Sequence, residues 1–559
     1  MAGDGPPAPA RGSGRLARFG LGIVKLCAAY LILLAVMAYL GQWTPDYLQG
    51  RDLWHFLFPR MVVAMVMLGV LASFIRVIPA ALLLATMLLV IGTLSEIKRL
   101  STGEPFQVSD AFLAGQSGAL LGYVSWDKWL IAALLLPALY FAFRNLVFRA
   151  WSIPLALSCL FLLSTYRFEA VANWIHDNAY WIGVENLTFS QAESERMNGL
   201  ATHLYFSTAG LRLKTFTDTD VRGAMAELDL APPPAPRASP PPDIFIVLGE
   251  AWWRDPSDSA SPIDKLVAAG FSEGVAISPV YGGTTPNAEF EVLTGVPVKS
   301  FQAGIIPYQH YQQYFSGMTR SLPRLLTGLG YATHAYHNFT ARFWLRDKIY
   351  PKFGFSSFDS MDDMNLTVQA NDWPTDKGLF ERVSTRVDAG GPQFHFIVTV
   401  ETHGPYREDK VRDLIDGDVH PGFADYHDRL SSAVDSLVAF DRMLRDRGKP
   451  YILLVFGDHL PGLRLHQWKM GWKSEADPRL HQVTFAVSSN SEKAADLRDR
   501  LNGRPLVCFS PVMLDHLALP VADRYMRHMV KQCGEYNGAL AFPDDAVIQN
   551  QLFSDSPQP

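Results

Sequence analysis

The sequence predicts a two-part protein, five membrane-spanning helices followed by an extracytoplasmic α/β domain. Three observations carry that prediction. Apolar residues crowd into the first third of a 559-residue chain whose overall hydrophobic fraction is 48%. A proline-rich stretch, APPPAPRASPPP at 231–242, separates that third from the rest. Beyond it, short β-branched apolar runs alternate with segments of helical character, the pattern of a sheet covered by helices. The length suits two or more domains. A net charge of −6 without a stripe of Lys and Arg speaks against nucleic acid as a partner.

Residues 1–15 precede the first apolar run and are assigned to a disordered cytoplasmic N-terminus. Five apolar stretches, 16–40, 54–74, 77–96, 127–145 and 151–168, reach or approach the ~20 residues that a membrane helix needs. The run Leu21–Leu40 is too long for a signal-peptide core and no small-residue cleavage site follows it, so it reads as an anchor. Arg11, Arg15 and Arg18 before the first span, Arg76, and Arg144 with Arg149 favour the cytoplasmic side for their segments; Lys98 and Arg99 lie on the other side and oppose the trend. An odd number of spans sends everything after about residue 170 outside.

The stretch 169–230 has amphipathic helical character and is read as an interfacial connector. Its Trp174, Tyr180, Trp181, Tyr205 and Phe206 suit a membrane interface, or packing against the next domain. The prolines of 231–242 make a stiff extended linker. Four cysteines, Cys27, Cys159, Cys508 and Cys533, are too few for a disulfide framework. Cys508 and Cys533 can pair if the C-terminal part lies in an oxidising compartment, which their sequence separation does not decide.

The domain at 243–535, with 536–559 read as a C-terminal tail, holds the chemistry. DIFIVLGE (243–250), QFHFIVTVETHG (393–404) and YILLVFGDHL (451–460) read as strands buried on both faces. Each ends in ionisable residues: Glu250, then Glu401 with His403, then Asp458 with His459. Open α/β sheets form their sites at the carboxyl ends of strands. Glu250, Asp458 and His459 are two hard oxygen donors and an imidazole, suited to Zn²⁺ or Mn²⁺ with a fourth position to fill.

That position is suggested by SPVYGGTTPNAEFEVLTG (278–295). Its glycine pair makes a tight turn that exposes a threonine hydroxyl just before a helix, where the N-terminus favours an anion. A divalent cation makes such an alcohol a usable nucleophile. Singly, each of these residues is a surface acid or a capping threonine; together they form a site.

These residues resemble the lipoteichoic acid synthase and phosphoglycerol transferase family of the alkaline phosphatase/sulfatase superfamily, from the first span to about residue 520. The resemblance implies a sulfatase-like α/β domain. Thr285-Pro286-Asn287-Ala288-Glu289-Phe290 fits the family's nucleophile signature, which puts the catalytic and metal-ligating hydroxyl at Thr285 rather than Thr284. Glu250 matches the strand-end glutamate and Gly457-Asp458-His459 the Gly-Asp-His ending, completing the implied metal set. His403 matches a substrate-side histidine. YHNFTARFWLRDKIYPKFGF (336–355) resembles the phosphate and headgroup segment and implies substrate binding by Trp344, Arg346 and His337. Phe339 stands where many members carry a polar or acidic residue. EIKRLSTGEPFQVSDAF (96–112) resembles the family's loop after the third span, with Lys98, Gly103, Pro105 and Asp110 in matching places; no chemistry is assigned to it.

The activity implied is transfer of glycerol phosphate from phosphatidylglycerol to a glycan through a phospho-threonine, with one Mn²⁺ or Zn²⁺ ion. The enzyme is placed in a bacterial inner membrane among lipids, its catalytic domain facing the periplasm. Phosphoethanolamine transfer and a non-catalytic scaffold for glycan export are the alternatives. A sulfatase is disfavoured because no cysteine lies near residue 285.

Overall fold

The computed structural model describes residues 13–41, 53–102, 126–165, 191–207 and 216–232, short pieces between them, and most of 240–554, leaving out chiefly 408–421 and 464–476. The chain divides into two compact units, 1–99 with 104–210, and 211–559 with 100–103.

In the first unit, helices Ser13–Leu40, Leu53–Ala72 and Val77–Thr102 carry apolar runs of 22, 20 and 23 residues, long enough to cross a membrane. The expected fourth span is two helices, Trp126–Ala133 and Leu135–Phe143. Pro137 has no N–H for the carbonyl of Ala133, which breaks the ladder there. The expected fifth is Ser152–Ser164, 13 residues, about 20 Å at the α-helical rise against a hydrocarbon core of about 30 Å. Among the described residues, three helices therefore have the length and composition of a span.

The connector at 169–230 is not one element. Helices Gln191–Asn198 and Leu200–Ser207 belong to the first unit, where Leu200, Ala201 and Leu204 join the core formed with Leu33, Met61, Leu68 and Leu84. The Tyr205 hydroxyl meets Thr165 Oγ1 at 2.9 Å. Helix Asp218–Ala226 belongs to the second unit. Trp174 is exposed; Tyr180, Trp181, Gly103, Arg11 and linker residues 233–239 lie outside the described residues. In the loop after the third helix, Lys98 Nζ donates to Asp110 Oδ2 at 2.8 Å and to the Pro105 carbonyl at 3.1 Å.

The second unit is built on a seven-stranded sheet: β1 Asp243–Gly249, β2 Ser272–Ile277, β3 Ala332–His337, β4 Ser357–Asp359, β5 Gln393–Val398, β6 Tyr451–Gly457 and β7 Gln482–Ser489. Their spatial order is β2-β7-β6-β1-β5-β3-β4, all parallel except β7, which runs against both neighbours. The three runs expected as strands are the central β1, β5 and β6, buried along their whole length. β1 and β6 pair from Asp243↔Tyr451 to Gly249↔Gly457, so both strands end at the same level. The edge strand β2 escapes a hydrophobicity reading because it is largely half-exposed.

One further feature departs from the expected boundaries, and one settles a pairing that the sequence left open. Helix Asp545–Phe553, within the stretch expected as a tail, buries Val547, Ile548 and Leu552, and Phe553 stacks near Phe315; its apolar residues are needed to cover the domain core. Cys508 and Cys533 form a disulfide with a Cα–Cα distance of 5.5 Å, tying helix Arg524–Gly534 to the residue that precedes helix Phe509–His516. The bridge closes 25 residues of chain, so its reduction should cost about 2–4 kcal/mol. Denaturant unfolding of the full chain with and without dithiothreitol measures this, and the double Cys508→Ala, Cys533→Ala variant should match the reduced protein.

Candidate active site

The level ends of β1 and β6 deliver Glu250, Asp458 and His459 to one spot. Leaving β1, the backbone adopts a left-handed turn at Ala251 (φ 52°), and the Ala251 amide donates to Asp458 Oδ1 at 2.8 Å. Gly457 must be a glycine here, since a Cβ would run into the Trp252 carbonyl. The Glu250 backbone is held from β5's extension: its amide donates to Thr399 Oγ1 at 3.0 Å, and the Thr402 hydroxyl donates to its carbonyl.

Thr285 arrives from another direction. Thr284 sits at φ 63°, ψ 38°, a conformation that a β-branched residue adopts only under strain. Helix Thr285–Thr294 starts at once, with Pro286 in its first turn. Thr284 makes no capping bond, whereas Thr285 Oγ1 donates to Glu250 Oε2 at 3.3 Å. Of the adjacent threonines, Thr285 therefore faces the acids, at 6% exposure.

Ligand atoms of Glu250, Asp458 and His459 lie within 4.8 Å of one another, and all three residues are buried. His459 Nε2 is 3.2 Å from Asp458 Oδ2 and 3.5 Å from Glu250 Oε1. Its Nδ1 lies 2.9 Å from the Leu460 carbonyl, which fixes the tautomer with Nε2 as the free donor atom. Asp458 Oδ2 is buried without a hydrogen-bond partner. Burial, reinforced by the Asp458 carboxylate, pushes the Glu250 carboxyl up to about 8. Two buried acids, an orphaned carboxylate oxygen and an oriented imidazole fit a divalent cation in both donor type and charge.

Of the residues of 336–355 expected to bind substrate, Arg346 and His337 are buried and Trp344 is half-buried. Arg346 is 1% exposed and opens helix Arg346–Phe353. Its Nε and Nη2 donate to Glu289 Oε2 at 3.1 and 2.9 Å, and its Nη1 lies 3.2 Å from His337 Nε2. Glu289, one turn into the Thr285 helix, also accepts from the Tyr308 hydroxyl at 2.8 Å. His337 Nδ1 faces the Val398 carbonyl at 3.1 Å; burial, then Arg346, holds this imidazole well below its usual pKa, hence neutral. Trp344 and Leu345, at φ 58° and 60°, form a strained turn that leaves the Trp344 ring half-buried.

His403 follows β5, with Nδ1 2.5 Å from the Gly404 carbonyl and its ring 4.5 Å from that of Trp373. Burial lowers its pKa as well. Glu401, although on the same strand end, turns away: its Oε2 accepts from the Asp376 amide at 2.7 Å, and the Asp376 carboxyl is pushed up to about 8 by burial and by Glu401. Trp373, Asp376, Thr399, Thr402 and Tyr308 carry no local sequence signal. They matter through neighbours that are distant in the chain.

Residues 242–517 match the Sulfatase family model. The "Putative cyclic beta-1,2-glucan modification protein" of Rhizobium meliloti (strain 1021) is 30% identical over 438 residues, 72% of this chain and 66% of the relative. The capsular polysaccharide biosynthesis protein RkpI of the same organism is 27% identical over 223 residues, 39% of this chain and 38% of RkpI. The chain thus spans less than two thirds of either relative. The lipooligosaccharide phosphoethanolamine transferase A of Neisseria meningitidis, an integral membrane protein, superposes with a TM-score of 0.52 at 15% identity, covering 90% of this chain and 97% of that one. That likeness is one of fold.

The Arg346 geometry makes a prediction of its own. A lysine keeps the charge but has no planar fork to serve Glu289 and His337 together. Arg346→Lys should lower domain stability by about 1.5–3 kcal/mol, read as a shift of the denaturant midpoint; an unchanged midpoint would mean that the pairing contributes nothing.

Proposed function

We propose, from the match of residues 242–517 to the Sulfatase family model, that this protein transfers glycerol phosphate from phosphatidylglycerol to a periplasmic or cell-surface glycan through a phosphorylated Thr285. The observation that carries the reading is the position of the Thr285 hydroxyl, 3.3 Å from Glu250 in a buried set with Asp458 and His459. The name of the Rhizobium relative supports a glucan as acceptor, and cyclic β-1,2-glucan is the acceptor to test first. Phosphatidylglycerol as donor rests on the motif resemblance around Thr285 and Arg346.

Glu250, Asp458, His459 and Thr285 would hold the cation, Mn²⁺ or Zn²⁺, which when bound supplies positive charge that lowers the pKa of a ligating hydroxyl and offsets charge on phosphoryl oxygens. In the first step Thr285 Oγ1 attacks phosphorus. The Thr285 hydroxyl gives up its proton as the bond to phosphorus forms, the bond from phosphorus to the diacylglycerol oxygen breaks, that oxygen takes up a proton in exchange, and glycerol phosphate stays on Thr285. In the second step a glycan hydroxyl attacks the same phosphorus, the bond to Thr285 Oγ1 breaks, and His403 is placed to carry the proton. With His403 Nδ1 against Gly404, Nε2 is the nitrogen left for that task. Arg346, anchored by Glu289, and His337 hold the floor on which the headgroup rests, with Trp344 at its edge.

The membrane arrangement proposed is five spans, the helices at 126–143 and 152–164 completing the three longer ones, with the catalytic domain facing the periplasm. The Cys508–Cys533 disulfide supports an oxidising compartment for that domain.

Intact-protein mass spectrometry after incubation with phosphatidylglycerol vesicles tests the reading. A glycerol phosphate adduct on Thr285 is expected; a phosphoethanolamine adduct from phosphatidylethanolamine vesicles would reassign the donor. Thr285→Ala should lose the adduct and all transfer while remaining folded, whereas Thr284→Ala should still form it. The opposite pattern would move the nucleophile by one residue.

Metal dependence has its own check. EDTA should abolish transfer and added Mn²⁺ or Zn²⁺ restore it, and calorimetry should find one site that Asp458→Asn removes. Full transfer by chelated, metal-free protein would refute the cation's role.

A further inference from the structure

Beside the acids, a connected set of aromatic rings runs from Trp344, already placed at the headgroup's edge, to His403, and its members Trp373, Phe339 and Phe343 have no individual role in the transfer described above. Trp373 lies 4.5 Å from His403 and 5.1 Å from Phe339. Phe339 lies 5.4 Å from Phe343, and Phe343 lies 5.3 Å from Trp344, all measured between ring centroids. The four aromatic side chains are half-buried rather than enclosed. Behind them the wall is fixed: Phe339 follows the buried His337 and Asn338, and Asn338 Nδ2 donates to Asp376 Oδ1 at 2.9 Å.

Two properties narrow what such a wall receives. Its rings meet at steep angles, Phe339 to Trp373 at 63° and to Phe343 at 86°, and they make the wall apolar where a polar headgroup would want hydrogen-bonding groups. The acids nearby, Asp376 and Glu401, are buried and accept bonds from Asn338 and from backbone amides, and Arg346 is paired with Glu289 and lies 3.2 Å from His337. A pyranose ring suits this chemistry. One of its faces is a layer of C–H groups that lies against an aromatic face, and its hydroxyls project from the edge, here toward His403.

We propose that Trp373 is the stacking surface for a hexopyranose unit of the acceptor, with Phe339 and Phe343 as apolar walls beside it, and that these residues so determine specificity in the second half of the transfer. The proposal rests on the glycan-transfer reading above and adds the acceptor's binding surface to it. Trp373 is the residue to test, because it joins these walls to His403.

The experiment uses full-length protein in phosphatidylglycerol vesicles with two acceptors, cyclic β-1,2-glucan and glycerol, the second having no pyranose face. Trp373→Ala should raise KM for the glucan roughly 2- to 12-fold, with a much smaller change for glycerol, and should weaken glucan binding in calorimetry by the same factor. Trp373→Phe should recover most of the loss, which separates stacking from a folding defect. Equal losses with both acceptors, or a loss seen equally in formation of the Thr285 adduct without acceptor, would overturn the proposal while leaving the transfer reading intact. Absence of any Thr285 adduct in the unmodified protein would overturn both.

Discussion

The site depends on one register. β1 and β6 are parallel neighbours paired from Asp243↔Tyr451 to Gly249↔Gly457, so two segments some two hundred residues apart end at the same height. The residues just past each strand then emerge side by side, Glu250 from one and Asp458 with His459 from the other. A register shift of one residue would reverse which face every side chain meets and separate the three donors. Gly457 protects the register's last pair, because only a residue without Cβ lets the Trp252 carbonyl pass.

Burial sets the electrostatics that this convergence creates. Two carboxylates in a dry pocket are costly unless opposite charge accompanies them, and the upward displacement of Glu250 expresses that cost. The orphaned Asp458 Oδ2 expresses it again. The same desolvation makes a bound cation effective, since charge interactions weaken less there than in water. The site thus stores an unmet demand for positive charge at the point where the Thr285 hydroxyl enters.

Arg346 answers a different demand. Its partner Glu289 lies on the Thr285 helix, fully buried, and without the guanidinium it would be an uncompensated charge in the core. The pair, with His337 beside it, therefore couples the Thr285 helix to the end of β3. The strained backbone at Thr284 and at Trp344–Leu345 is held in place by these packed neighbours.

Much of this was legible in the sequence, and the limit has a physical shape. The fully buried strands β1, β5 and β6 announce themselves because continuous apolar runs have no other use. The threonine turn, the strand-end acids and Arg346 stand in local patterns. The half-exposed edge strand β2 and the final helix Asp545–Phe553 carry weaker local signals, because the neighbours that cover their apolar faces are not written beside them. Helix length at the membrane was likewise decided by structure: Pro137 interrupts an apolar run that composition alone reads as continuous. That Arg346 is paired with Glu289, that Glu401 turns toward Asp376, and that Trp373 reaches His403 are contacts between segments far apart in the chain. Sequence determined which groups this protein possesses and where its strands end; only the tertiary structure decided which of them meet, because a contact depends on through-space distance, and parallel strands bring together residues that the chain keeps far apart.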